Sequence, residues 1–120
     1  MMIVRKAQFD ALSAHFRQRF VRTMLAHLQG HFPTRCAELG EPNVRQLISQ
    51  GVAKADQLGI ETEQDTAGLI HFMFEAAPDF DVLPEYQWAM ATLRTPELSS
   101  TERLDLLYEQ WRRRRPELAP

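Results

Sequence analysis

Two histidines on the predicted first helix have the spacing of metal ligands. His27 and His31 are separated by one helical turn, so one face of the helix carries both rings, as in helices that bind zinc. Cys36 follows closely in the sequence. The intervening sequence LQG lacks the glutamate of a metalloprotease motif, and further ligands would have to come from a short second helix. We therefore interpret both histidines as surface or packing residues and predict no metal site and no cofactor.

Cys36 and His71 could also take part in catalysis. A cysteine activated by a histidine and an acid is the arrangement of a thiol hydrolase. Nothing near Cys36 in the sequence marks it as activated, and a lone cysteine is usually a small buried apolar residue. His71 stands inside the most apolar helix, where a hydrogen-bonded core histidine is more common than a general base. We predict no catalytic residue, and a small enzyme using Cys36 or the histidines is kept only as an alternative.

An acidic turn follows the most apolar helix, with two aspartates around one aromatic residue. Alternating acids can bind a divalent cation, but the glycine and the distal glutamate of a calcium loop are absent. The structural interpretation places the aromatic ring in the core while the acids cap or solvate the turn. The functional alternative is contact with a protein partner. The partner-binding residues would then be Asp79, Phe80, Asp81, Tyr86 and Trp88.

Four consecutive arginines, Arg112 to Arg115, lie at the end of the predicted last helix. They could contact the phosphates of a nucleic acid, but no recognition helix is evident in the sequence, and the chain has a net charge of −2. Charge is segregated along the sequence. Residues 1–35 contain six basic residues and one acidic residue, a charge of +5. Residues 36–110 contain four basic and 14 acidic residues, a charge of −10, and residues 111–120 contain four basic residues and one acidic residue, a charge of +3. We predict no nucleic-acid binding. The arginines form either a solvated helix end or a contact for an acidic protein.

The elements that position these residues are all predicted to be helices. Apolar residues recur at helical spacing, and no segment shows the alternation of a strand. Gly40 and Gly59 stand at predicted helix ends, Pro42 at a first turn, and Pro116 is expected to end the last helix. The predicted helices comprise residues 4–31, 33–39, 42–58, 63–77, 84–94 and 100–114.

The helix predicted over residues 63–77 is apolar on nearly all sides, which is typical of a helix packed on several faces. Gly68 in its interior costs about 1 kcal/mol relative to alanine, and close approach of another helix at Gly51 would offset that cost. Capping boxes are predicted at Thr62 with Asp65 and at Ser99 with Glu102. We predict an all-α fold, a single compact bundle of about five to six helices that forms one domain.

Composition indicates an ordinary globular chain of 120 residues, with 44% hydrophobic and 25% charged residues. The single cysteine excludes an internal disulfide. The longest apolar stretch, Leu69 to Phe74, is far shorter than the roughly 20 residues of a membrane span. The first residues, MMIVRK, are not followed by the apolar segment of a signal peptide. We predict a soluble, cytoplasmic protein that does not associate with membranes.

Several short motifs occur in an order that resembles a group of small helical proteins. They are HFP at 31–33, C-x-x-LG at 36–40, GI ending at 60 with an aspartate at 65, HFMF at 71–74 and DFD at 79–81, followed by a helix containing tryptophan. In this order the chain resembles the small all-helical accessory proteins encoded in bacterial type VI secretion loci. Their genes lie beside those for VgrG spike proteins, secreted effectors and effector chaperones. The resemblance covers about residues 3–110.

The resemblance implies a non-enzymatic, protein-binding accessory role, an adaptor or co-chaperone that helps to load an effector onto the spike. The partner would be the effector, its chaperone or the VgrG spike, and no catalytic residues are implied. An immunity protein that neutralises a cognate secreted toxin stays an alternative, for which the acidic stretch from Asp56 to Glu85 could serve. A homodimer also stays open, because the predicted first helix is long enough to project from a small bundle.

Overall fold

The computed structural model describes residues 14–118, and every regular element in that range is a helix. The α-helices are α1 (Ala14–His31), α2 (Pro33–Leu39), α3 (Glu41–Gln57), α4 (Glu63–Glu75), α5 (Gln87–Leu93) and α6 (Ser100–Leu118), and a 3₁₀ turn (Pro84–Tyr86) precedes α5. The prediction of an all-α fold is confirmed. The part of the first predicted helix that covers residues 4–13 lies outside the described residues.

The contacts between residues divide the chain into two compact units, residues 1–78 and residues 79–120. The first unit contains α1 to α4, and the second contains the 3₁₀ turn, α5 and α6. The assignment of the whole chain to one domain stays a prediction. In the described part of the chain, no helix combines the length and the hydropathy that crossing a lipid bilayer requires.

Helix α4 is the core helix of the first unit. Its large apolar side chains are at most 1% exposed, namely Leu69, Ile70, Phe72, Met73 and Phe74. The helix begins at Thr62, whose Oγ1 accepts a hydrogen bond from the Asp65 N–H at 3.1 Å, as the predicted cap requires. Gly51 of α3 is buried against α4, where a Cβ atom would overlap Ile70 and lie 3.1 Å from the Met73 sulfur. Helix α3 therefore approaches α4 closely at Gly51, against Ile70 and Met73. The predicted contact between Gly51 and Gly68 stays a prediction.

Two glycines with positive φ separate the helices of the first unit. Gly40, with φ of 84°, stands between α2 and α3, and Gly59, with φ of 72°, follows α3. The Gly59 N–H donates to the Asp56 carbonyl at 3.1 Å, and the Ile60 N–H donates to the Ala55 carbonyl at 2.8 Å. This pair of bonds is a Schellman motif, which satisfies the last carbonyls of α3 and turns the chain toward α4.

In the second unit, side chains of α6 hold α5 and the loop that follows it. Arg103 Nε donates to the Thr95 carbonyl at 2.8 Å and to the Leu98 carbonyl at 3.1 Å. The Thr92 hydroxyl donates to Gln110 Oε1 at 2.6 Å. Helix α6 is thereby fixed in register against α5, which determines which residues of α6 lie beside α5.

Helix α6 continues past Pro116 to Leu118, so the prediction that Pro116 ends it is wrong. A proline in a helix removes the N–H that would bond the carbonyl four residues earlier, here the carbonyl of Arg112. Arg112 is exposed, so water can replace that one donor. Arg112, Arg113 and Arg114 therefore lie before the last turn of α6, and Arg115 lies in it.

Candidate functional site

Three histidines from two helices meet on the first unit. His27 and His31 lie on one face at the end of α1, and His71 lies on α4. Their ring centroids are 4.3 Å apart for His27 and His31, 5.1 Å for His27 and His71, and 5.4 Å for His31 and His71. His27 Nε2 is 2.8 Å from His71 Nδ1, which is a hydrogen bond between the rings. We call His27, His31, His71 and the adjacent Glu75 the histidine cluster.

Glu75 fixes the orientation of the His71 ring. Its Oε2 is 3.3 Å from His71 Nε2, and both side chains are about one-fifth exposed. A carboxylate can only accept, so Nε2 carries the hydrogen and Nδ1 carries the lone pair. His27 Nε2–H then donates to His71 Nδ1. His27, His71 and Glu75 thus form a chain of donors and acceptors that runs from α1 to the carboxylate on α4.

Partial burial favours the neutral form of two of these rings. Burial is the largest cause that lowers the pKa of His71; Glu75 acts in the opposite direction through its charge and hydrogen bond, and His31 lowers the pKa further. Burial also lowers the pKa of His27, with additional lowering by His31 and His71. Because an unperturbed histidine titrates near 6.5, both imidazoles are predominantly neutral at pH 7.

Aromatic side chains adjoin the histidine cluster. The Phe32 ring centroid lies 5.0 Å from that of His71 and 6.0 Å from that of Phe74. Arg35 of α2 donates a hydrogen bond from Nη1 to the Phe74 carbonyl near the end of α4. The positive charge of Arg35 also interacts favourably with the negative end of the α4 dipole there. These contacts hold α2 against the same part of α4 that carries His71.

Cys36 is the residue that a thiol enzyme would need, and its environment disfavours that role. The side chain is 7% exposed, as predicted for a small buried apolar residue. Burial raises the pKa of the thiol, so the reactive thiolate is disfavoured at neutral pH.

A shallow groove of about 260 Å³ lies along the end of α2 and the first half of α3. Its lining residues, Leu39, Asn43, Gln46, Leu47 and Gln50, include no titratable side chain and no nucleophile. The groove therefore offers no general acid, general base or nucleophile to a bound molecule.

In the Asp79-Phe80-Asp81 turn, the aromatic ring lies in the core and the acids lie toward the surface, as the structural interpretation of the sequence predicted. Phe80 is 0% exposed, whereas Asp79 is exposed and Asp81 is partly exposed. The Val82 N–H donates to the Asp79 carbonyl at 3.0 Å and closes the turn. The two aspartates can therefore meet a partner, while Phe80 has no surface to offer. Partner contact by the aspartates stays a prediction.

The second unit brings aromatic rings and arginines together. The Trp88 and Trp111 rings are stacked, with centroids 6.4 Å apart and an angle of 12° between their planes. Tyr86 lies 6.3 Å from Trp88 and 6.1 Å from Trp111, and is 7% exposed. The Arg114 guanidinium is 4.8 Å from the Trp88 centroid, and that of Arg115 is 6.0 Å from the Trp111 centroid. We call these five residues the tryptophan–arginine face.

Helical spacing separates the four arginines into two pairs. Arg114 and Arg115 are three and four residues after Trp111, so they share its side of α6. Arg113 points elsewhere and pairs with Glu109 at 2.7 Å. The spacing of Arg114 and Arg115 from Trp111 can be counted in the sequence. The run of four arginines by itself does not indicate which of them lie beside a tryptophan. The meeting of His71 with His27 was not readable, because it depends on how α1 packs against α4.

Comparisons with protein-family models, with curated proteins and with solved structures find no match to this chain. The type VI secretion setting therefore stays a prediction that rests on the short motifs alone. As the side chains stand, no three His, Cys, Asp or Glu residues of the described part surround a common point as metal ligands do.

Proposed function

We propose that this chain is a non-enzymatic, protein-binding accessory factor that contacts an acidic partner through the tryptophan–arginine face. The observation that carries the proposal is the position of Arg114 over the half-buried Trp88 ring. Tryptophan and arginine are the residue types most enriched among the energetically dominant residues of protein interfaces.

The geometry of this face favours recognition of carboxylates. Arg112 to Arg115 are all exposed. A guanidinium held over an indole gains about 0.5–1 kcal/mol at an exposed site, and its planar fork can still bind a carboxylate with two hydrogen bonds. Holding the arginine in place before binding lowers the entropy lost on complex formation. An acidic segment of another protein therefore suits this face.

The resemblance to type VI secretion accessory proteins supports a specific setting for this activity. In that setting the chain is a cytoplasmic adaptor or co-chaperone, and its partner is an effector, the effector's chaperone or the VgrG spike. The partner should carry an acidic surface. The first experiment is co-purification of the untagged chain with tagged products of the neighbouring genes.

Two double variants of equal charge test the face once a partner is identified. Arg114→Ala with Arg115→Ala removes the arginines that lie over tryptophans, and Arg112→Ala with Arg113→Ala removes two others from the same helix. We expect the first pair to weaken binding by about tenfold or more, the scale of an interface hot spot, and the second pair to change it by a few fold. Isothermal titration calorimetry measures both.

Equal losses in the two double variants would show a general charge effect and contradict the proposed face. Loss of binding only in Asp79→Lys with Asp81→Lys would assign the contact to the acidic turn. Co-expression with a toxin encoded by a neighbouring gene distinguishes an adaptor from an immunity protein. An immunity protein protects the cell from the toxin, whereas an adaptor changes the loading of the effector without protecting the cell.

A further inference from the structure

We propose that the histidine cluster is a pH-sensitive latch, which holds the end of α1 and the adjoining α2 against α4 at neutral pH and releases them in mildly acidic solution. Histidine is the side chain that ordinarily changes its charge between pH 5 and pH 8. The latch lies entirely in the first unit and does not depend on the tryptophan–arginine face of the second.

The hydrogen bond that joins α1 to α4 requires a neutral His71 ring. His27 Nε2–H donates to His71 Nδ1 at 2.8 Å, and His71 Nε2 lies 3.3 Å from Glu75 Oε2. A protonated imidazole carries a hydrogen on both nitrogens and can no longer accept a bond. A proton added to His71 therefore directs two N–H groups at each other, and the bond between the helices is lost.

The histidine cluster contains three bases and one carboxylate. The charge of Glu75 can offset one proton, whereas a second and a third proton make the cluster positive. The ring centroids are 4.3, 5.1 and 5.4 Å apart, so positive charges on neighbouring rings repel one another. The rings therefore titrate as a group. In acid, the closed arrangement binds fewer protons than three separated histidines bind.

The environment of the rings has the same effect. Burial is the largest cause that lowers the pKa of His27 and of His71, and His31 lowers the pKa of both. Glu75 raises the pKa of His71 but does not cancel the lowering. From α2, the Arg35 guanidinium adds a positive charge near this end of α4.

Helix α3 packs on another side of α4. Gly51 of α3 faces Ile70 and Met73, which lie about 100° and about 160° from His71 around the helix axis. The end of α1 and α2 can therefore separate from His71 while α3 and α4 stay packed.

The direction of the pH effect follows from the lowered pKa values. Because the pKa of His27 and of His71 lies below 6.5 in the folded chain, their neutral forms stabilise the closed arrangement above that pH. The stabilisation is lost as the pH falls through the lowered values. Each proton that the open form binds in excess of the closed form raises the opening constant about tenfold per pH unit.

Release of the latch uncovers an aromatic side chain. Phe32 joins α1 to α2, and its ring centroid lies 5.0 Å from that of His71 and 6.0 Å from that of Phe74. His27 and His31 are exposed, so water can hydrate their charged rings. Separation of α1 from α4 therefore exposes the Phe32 ring, which is partly covered in the closed arrangement.

Amide hydrogen exchange of the full chain, corrected for the pH dependence of the intrinsic exchange rate, tests the latch. We expect protection of residues 27–39 to fall by about tenfold between pH 6.5 and pH 5.5, while protection within α6 stays the same. His27→Gln should reduce this fall, because the glutamine amide can still donate to His71 and does not titrate. His15→Gln is the matched control and should keep the full fall, because His15 is exposed on the same helix and outside the cluster.

Glu75→Gln should act in the opposite direction from His27→Gln. It removes the charge that offsets the first proton, so protection is lost at a higher pH than in the wild type. His27→Gln changes an exposed residue, and circular dichroism at pH 7.5 verifies its folding, so the test stands if Glu75→Gln does not fold. The proposal is overturned if protection of residues 27–39 does not change with pH, if all helices lose protection together, or if folded His27→Gln shows the same fall as His15→Gln.

Discussion

At the scale of single residues, Gly51 determines how closely α3 and α4 approach. A Cβ atom at this position would overlap Ile70 Cγ1, which is part of a branched side chain and not its flexible end. We expect Gly51→Ala to lower the free energy of unfolding by about 1–3 kcal/mol, the usual cost of overpacking a core. This cost exceeds the gain of up to about 1 kcal/mol that alanine brings to a helix. Urea unfolding measures the difference.

Gly30 provides the matched control for that substitution. It lies near the end of α1, is exposed, and a Cβ atom there would have no neighbouring atom within 4 Å. Gly30→Ala should therefore raise the free energy of unfolding, by at most about 1 kcal/mol. A Gly51→Ala protein as stable as the Gly30→Ala protein would contradict the close packing of α3 against α4.

Residue types alone were sufficient to predict some environments and not others. The small apolar Cys36 and the aromatic Phe80 were expected in buried positions, and both are buried. The spacing of His27 and His31 was visible in the sequence, but His71 was interpreted as a solitary core histidine. Its ring meets theirs only because α4 packs beside α1, and that contact is set by the three-dimensional arrangement of helices.

At the scale of elements, the start of α6 shows a complete capping box. The Ser99 N–H donates to Glu102 Oε1 at 2.9 Å, and the Glu102 N–H donates to Ser99 Oγ at 3.1 Å. Hydrogen bonds that Ser99 donates to the carboxylate, from its backbone N–H first and from its hydroxyl second, lower the pKa of Glu102 below its ordinary value of 4.5. The ionised carboxylate therefore stabilises the folded chain.

The pH dependence of stability follows from that lowered pKa. The contribution of Glu102 is present above its unfolded pKa of 4.5 and is lost as the pH falls through the lower folded pKa. We expect Glu102→Gln to reduce the loss of stability between about pH 6 and about pH 3.5, measured by urea unfolding at each pH. Glu97→Gln removes the same charge from the exposed turn before α6 and serves as the control. The same pH dependence in the wild type and Glu102→Gln would contradict the prediction.

Helix ends were predicted best where a local bond creates them. The cap at Thr62, the Schellman motif at Gly59 and the capping box at Ser99 each depend on residues close together in the sequence, and all three are present. The end of α6 was wrong because a proline removes only one backbone bond, and the exposed surroundings of Arg112 tolerate its loss.

At the scale of the whole molecule, the chain carries separate natural reporters for its two units. Both tryptophans lie in residues 79–120, and all four histidines lie in residues 1–78. Tryptophan fluorescence therefore follows the second unit, and the histidine ring signals in NMR follow the first. Far-UV circular dichroism follows the helices of both.

The prediction of one domain requires these reporters to agree. A single domain of this size normally unfolds in one cooperative step, so different probes give the same transition. In a urea titration, we expect fluorescence, histidine NMR and circular dichroism to give one midpoint and one slope. Trp88→Phe and Trp111→Phe proteins show which tryptophan dominates the signal. Because the probes are assigned to different units by sequence alone, two separate midpoints would mean that residues 1–78 and 79–120 unfold independently, and the one-domain prediction would be wrong.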